Sequence, residues 1–314
     1  MSGYLLGLST VLLWGLYNVL ARFAGFEGAN PVVFVCFGFI VASLVLLVVS
    51  GPGRMSMQAF RSPVTWLYGV LTLFEHIFTV YLFIYVTSAE GSLLQRFGVI
   101  LVVIFAWLFF NRRPRAMTVA GTTLIAAGCI MLLGQLDPET MKNAMLFLLA
   151  AIFFQVTKTM VIEAHPEVNV FHGLKDRIRV TAIISFVSCM LIFIALACVA
   201  AYGHFLHVSV APLPSAADFL RMDTLILGGA FGVLIEPASI FAYFYAVKHL
   251  KSERFMALAA FVPLITYGLE VVAHWFTSMP VRTFSTLEWA CVAVITLGSA
   301  VMQFKYRKRR RAIA

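Results

Sequence analysis

"PVVFVCFGFIVASLVLLVVS", residues 31–50, runs for twenty residues without a charged side chain. A bilayer core about 30 Å thick takes about 20 apolar residues per helical crossing. Inside it only helices and closed barrels satisfy every backbone polar group. The run lacks the apolar-polar alternation of a barrel strand, so it reads as a membrane helix. The rest of the chain shares this character: 61% hydrophobic residues, 12% charged residues and a mean hydropathy of +0.95. Such a composition excludes a soluble domain with a polar surface.

Ten spans are expected, roughly at 3–25, 31–50, 64–86, 91–110, 117–135, 143–163, 180–202, 224–247, 255–276 and 286–304. The first has no basic segment before its apolar core and no small-residue cleavage site after it, so it reads as a helix and not as a signal peptide. Cys36, Cys129, Cys189, Cys198 and Cys291 all fall in spans, without CxxC or Cys/His metal spacing, and read as small packing residues. No P-loop, HExxH or Ser/His/Asp arrangement occurs. The expectation is therefore no catalytic residue, no metal and no cofactor.

The formal net charge of +9 takes its meaning from its positions. With a cytoplasmic N-terminus, one set of loops carries Arg54, Arg61, Arg112, Arg113, Arg115, Lys175, Arg177, Arg179, Lys248, Lys251 and Arg254, and "KYRKRRR" at the end adds six more. The opposite loops carry only Lys142, Arg221 and Arg282. This bias places both termini in the cytoplasm. The tail then reads as a contact with anionic headgroups, and no nucleic-acid partner is expected. The expected location is the plasma membrane or a bacterial inner membrane.

Ten spans divide five plus five at "GQLDPET", and an odd number per half inverts the second half relative to the first. "YVTSAEGSLLQRFGVILVVIFAWLF" at 85–109 aligns with "KHLKSERFMALAAFVPLITYGLEVV" at 248–272, bringing Glu90 onto Glu253. "LIAAGCIMLL" at 124–133 aligns with "VITLGSAVMQ" at 294–303, bringing Gly128 onto Gly298. The expected fold is an all-α membrane protein of ten transmembrane helices in two inverted five-helix repeats, residues 1–136 and 137–306, followed by a basic tail at 307–314.

"LLWGLYNVLARFAG" at 12–25, "SAEGSLLQRFGVILVVIFAWLFFNRRP" at 88–114 and "GTTLIAAGCIML" at 121–132 together resemble the EamA-type domain of the drug/metabolite transporter superfamily. The resemblance extends over nearly the whole chain. It departs after the fourth span, where Phe110-Asn111 stands in place of the family's frequent Gly-Glu. It implies a secondary transporter, commonly an exporter of amino acids or other small metabolites, with a central cavity lined by spans 1, 3, 4, 6, 8 and 9.

A charge at mid-bilayer costs at least about 2.5–3.5 kcal/mol, so each one is expected to face a cavity or a partner. Glu75 and Glu236 fall at matching positions of the two halves and are the expected proton-coupling or cation-binding groups. His76 follows Glu75 at a helical step of about 100° and is expected to point away from it, as a relay or a structural group. Pro237 is expected to bend span 8. Arg96, behind Gln95, and Lys158, aligned with Asn18, are the expected anion-binding groups. Arg22 is expected to snorkel to the interface. Glu270 shows no basic partner in its own helix. Trp14, Tyr17, Tyr81 and Tyr243 complete the candidate substrate contacts.

These residues predict a secondary active transporter that exports a small metabolite such as an amino acid or related zwitterion, by proton antiport with alternating access. Its partners would be that substrate, the lipid bilayer and a proton gradient. A non-transporting membrane scaffold or subunit, whose polar residues knit helices, and a lipid-precursor flippase are the alternatives.

Overall fold

The computed structural model describes residues 3–304 apart from 52, 86–87, 136–137, 171–172, 207–212, 278 and 280–282. Among these residues every regular element is helical. The first half contains α1 (Gly3–Phe26), α2 (Pro31–Ser50), the short α3 (Arg54–Arg61) and α4 (Pro63–Tyr85). It continues with α5 (Ser88–Leu94), a 3₁₀ turn at Gln95–Phe97, α6 (Gly98–Phe110) and α7 (Ala116–Leu133). The second half contains α8 (Pro138–Ala164), the short α9 (Pro166–Asn169), α10 (Leu174–Leu206) and a 3₁₀ turn at Ala216–Leu220. It closes with α11 (Met222–Leu234), α12 (Glu236–Leu250), α13 (Ser252–Ala259), α14 (Val262–Phe276) and α15 (Thr286–Phe304).

Among the described residues eight helices are long and apolar enough to cross a membrane, or nine if α11 and α12, bent by 50°, form one span. The chain is a multi-pass helical membrane protein. The 23-residue α4 has the length of a helical crossing.

Local chemistry sets the helix ends. The Asn30 side chain accepts a hydrogen bond from Val32 N at 3.0 Å, and Pro31 occupies the first turn of α2, where no N–H is needed. Gly51, at φ 69°, ends α2 with its N–H on Leu47 O. Asn111 ends α6 in the left-handed conformation, at φ 53°, which turns Arg112 back toward the bundle. Pro237 cannot donate to Val233 O, so the helix breaks just before it, at Ile235. The bend expected at Pro237 therefore appears two residues earlier. Pro263 likewise sits in the first turn of α14, past a break at Ala260 and Phe261.

Packing follows a limited set of pairs: α7 on α15, α4 on α8, α2 on α10 and α11, and α1 on α12 and α14. Lipid tails are as apolar as leucine, so helices in a bilayer associate through close contact at small residues. At the α7–α15 crossing, a Cβ on Gly298 would lie 2.6 Å from Gly121 O, and a Cβ on Gly121 would meet Gly298 O. One turn pair away, a Cβ on Gly128 would lie 2.7 Å from Ile295 Cγ1 and 3.1 Å from Cys291 O. The α4–α8 pair is held by ring stacking instead. Phe74 and Phe78 lie 5.1 and 5.6 Å from Phe154, and Tyr81 and Tyr85 lie 5.1 and 5.7 Å from Phe147.

Gly121→Leu is expected to push α7 and α15 apart and destabilise the protein by about 1–3 kcal/mol. Gly268→Ala, in α14 with no atom within 4 Å of its added Cβ, is expected to be neutral or to stabilise by up to about 1 kcal/mol. Thermal unfolding of the detergent-solubilised variants checks both. Equal losses from the two would refute the close-contact account.

Candidate functional site

Mid-way along α4, Glu75 meets Lys158 of α8, with Nζ donating to Oε2 at 2.9 Å. Their side chains keep 12% and 13% of their surface exposed. Phe154 lies one turn before Lys158 on the same helix face. Its stacking on Phe74 and Phe78 holds Lys158 beside Glu75. His76 does not point away from its neighbour. Its Nδ1 lies 2.8 Å from Glu75 Oε2 and 2.8 Å from Thr72 O. Two acceptor oxygens at that distance place a proton on Nδ1. The expected separation fails because a helical step sets only the Cα–Cβ direction. Side-chain torsions close the gap, and the His76 ring also packs edge-on against Phe39 of α2 at 6.0 Å.

Glu236 is 3% exposed, in the first turn of α12. The bend at Ile235 puts its carboxylate at the positive end of a half-helix, where negative charge is favoured. Lys158 acts electrostatically on it as well as on Glu75. Tyr17 of α1 lies near both carboxylates and packs on Phe231 at 5.4 Å. Beside this group, Trp14 lies 5.3 Å from Tyr243 and 5.5 Å from Phe255, and the Tyr243 hydroxyl lies 3.1 Å from Thr159 Oγ1. Gln155, one turn before Lys158, buries its Oε1 without a hydrogen-bond partner among the described residues. Thr72 and Thr159 are polar groups that carry no charge signal in the sequence, and only the assembled fold singles them out.

The other expected contacts are occupied elsewhere. Tyr81 stacks on Phe147. Gln95 Nε2 reaches Thr79 Oγ1 at 3.5 Å. Arg96 donates through Nε to Ser92 O and through Nη1 to Ala259 O, both at 2.8 Å. Its guanidinium therefore spans the breaks of the α5–α6 and α13–α14 pairs. Asn18 donates to Thr266 Oγ1 at 3.1 Å. Glu270, 1% exposed, finds its basic partner on another helix, Arg22 of α1 at 2.8 Å. That ion pair replaces the snorkelling expected of Arg22. His274 Nδ1 lies 2.8 Å from Met279 O and ties down the chain leaving α14.

At the end of the bundle opposite the Arg22–Glu270 pair, Glu163 closes a second polar network. Arg112 Nη2 donates to its Oε1, Ser252 N and Oγ donate to its Oε2 at 2.8 and 2.7 Å, and Lys251 Nζ lies 3.6 Å from Oε1. Arg112 Nη1 also reaches Glu253 Oε2 at 3.1 Å. The network joins the α6–α7 connection, the end of α8 and the α12–α13 connection. Burial and two charge-assisted neighbours compete at Arg112, and the carboxylates prevail, holding its pKa above the usual arginine value. Lys251 adopts φ 71°, a conformation that L-residues rarely take, which presents Ser252 N to Glu163.

Removing one partner of a buried charge pair costs about 3–5 kcal/mol, and less where the other partner reaches solvent. Arg112 is 28% exposed, so Glu163→Ala is expected to cost about 1–3 kcal/mol of stability, read as a lower unfolding temperature in detergent. An unchanged temperature would show that this end is held by packing alone.

Residues 1–134 match the EamA-like transporter family. None of the curated proteins matches the chain. A solved structure described only as "Crystal structure of protein" superposes with a TM-score of 0.66 over 97% of this chain and 98% of the other, at 19% identity, which is a likeness of fold.

Proposed function

We propose that this protein is a ten-span secondary active transporter, built from two inverted five-helix repeats at 1–136 and 137–306, that exports a small zwitterionic metabolite by proton antiport. The carrying observation is the Glu75–Lys158 pair with His76, an ionic centre in an apolar bundle that keeps more than a tenth of each side chain exposed. A group that only knits helices gains from complete burial of its ions within mutual contacts, whereas a transport site needs access. The helix signal of a multi-pass protein and the family match over residues 1–134 support the class.

Several contacts support the inverted repeat. The register that puts Gly128 on Gly298 also puts Gly121 on Cys291, so the contact of Gly121 with Gly298 maps onto that of Cys291 with Gly128. The register of 85–109 on 248–272 puts Arg96 on Ala259, the residue whose carbonyl Arg96 binds. Under the same exchange, α4 on α8 becomes α12 on α1, and α2 on α11 becomes α10 on α4, all of which pack. The loop charge bias supports cytoplasmic termini.

Chemically, Lys158 offers an ammonium for a carboxylate, and Glu75 and Glu236 offer carboxylates for an ammonium. Tyr17, Trp14, Tyr243 and Gln155 line the surroundings. A bound zwitterion replaces the internal ion pair charge for charge, so its desolvation cost is offset within the site. A proton delivered through His76 to Glu75 dissolves the same pair. Proton and substrate then compete for one centre, the requirement for antiport. Arg96 and Glu270, committed to Ala259 O and Arg22, have structural duties in this reading.

The test is transport of an amino-acid panel by purified protein in liposomes under an imposed pH gradient. Glu75→Gln and Glu236→Gln are each expected to lower gradient-driven flux at least about tenfold, the scale of removing a single charge-assisted contact. Lys158→Gln is expected to abolish binding of the carboxylate-bearing substrate. Full flux in both glutamate variants would end the proton-site assignment.

A further inference from the structure

Between the α6–α7 connection and the start of α13 lies a cavity of about 310 Å³. Arg112, Arg113, Arg115 and Arg254 face it, against the single carboxylate of Glu253. That carboxylate is already engaged by Arg112, so the lining carries a surplus of positive charge. Arg113 and Arg115 are exposed at its rim. Across from them the wall is apolar, formed by Val103 and Ala106 of α6 and Met302 of α15. Those three residues lie on membrane-spanning helices, within about three turns of their ends.

The cavity therefore stands at the boundary between headgroups and acyl chains, cationic on the water side and apolar on the lipid side. Arg115 is also the residue preceding the first turn of α7, which has no side-chain cap and no acidic residue. The amides of that turn add donors on the same side, and Thr118 of the turn lines the cavity. Arginine forks match phosphate oxygens in pairs.

We propose that this cavity is a binding site for the headgroup of an anionic phospholipid, its phosphodiester held by Arg113 and Arg115 and its first acyl carbons against Val103, Ala106 and Met302. A free phosphate would satisfy the arginines but leave the apolar wall bare. A zwitterionic lipid would bring its own ammonium against four guanidinium groups. The site lies apart from the Glu75–Lys158 centre, and lipid binding there can fail while the transport reading stands, or the reverse. Because Arg112 also holds Glu163, an occupied cavity screens the repulsion among the arginines and steadies the closed end of the bundle.

The experiment is thermal unfolding of the full-length protein in detergent, titrated separately with phosphatidylglycerol, phosphatidylcholine and inorganic phosphate. Saturable stabilisation by phosphatidylglycerol alone is expected. R113Q/R115Q is expected to shift its midpoint about 25-fold to higher lipid, the product of about fivefold for each arginine near a charged surface. R113K/R115K, which keeps the charge, is expected to retain the response and so separates charge loss from misfolding. Removal of residues 305–314 is expected to leave the midpoint within about threefold. The proposal is overturned if R113Q/R115Q matches the wild type, if phosphatidylcholine or phosphate reproduces the effect, or if only removal of the tail abolishes it.

Discussion

A charge placed inside a bilayer must find a partner there, and this constraint organises the protein. Glu75 pairs with Lys158, Arg22 with Glu270, and Arg96 with the carbonyls of Ser92 and Ala259. Apart from the local contact of Arg96 with Ser92, each of these links joins a residue before 136 to one after it. The two halves are therefore joined by contacts that neither can make alone. Pulling them apart would leave several ions unpaired in lipid, each at a cost of at least about 2.5–3.5 kcal/mol.

Not all of these links have the same character. Arg22–Glu270 and the Arg112–Glu163 network lie toward opposite ends of the bundle, while Glu75–Lys158 lies between them with partial access. The alternating access we propose requires an end to open while the centre exchanges partners. Polar links at the ends suit that demand better than interlocked side chains, because a charge that parts from its partner near an interface can be rehydrated. The glycine crossing of α7 and α15 is of the opposite kind, a backbone contact that leaves no room for sliding and suits a fixed fulcrum.

Helix breaks are the second consequence of the same physics. Backbone carbonyls freed in lipid need donors, and Arg96 supplies one to Ala259 where α13 gives way to α14. The break at Ile235 has a different use, turning Glu236 into the first residue of a half-helix. The proline following Glu236 made that break readable in advance. The turn at Gln95–Phe97 has no proline and was not foreseen, since a buried arginine reaching another helix leaves no mark in the local pattern.

Apolar run length, which depends on the thickness of the bilayer and on nothing else in the fold, was enough for the sequence to determine the membrane class and the helix positions. The expected 31–50 and 286–304 coincide with α2 and α15, and the membrane-depth charges were all visible as interruptions. Tertiary structure alone decided their partners. Lys158 is 83 residues from Glu75, and Arg22 is 248 from Glu270, so no periodicity links them. His76 was misread for the same reason, its direction being set by side-chain torsions and not by its helical step. The polar network around Glu163 is not legible in the sequence, because Arg112, Lys251 and Ser252 read as ordinary loop residues until the bundle brings three connections together. Sequence reports the cost of a buried charge, which is local. The side chain that offsets that cost is chosen by packing, which is not.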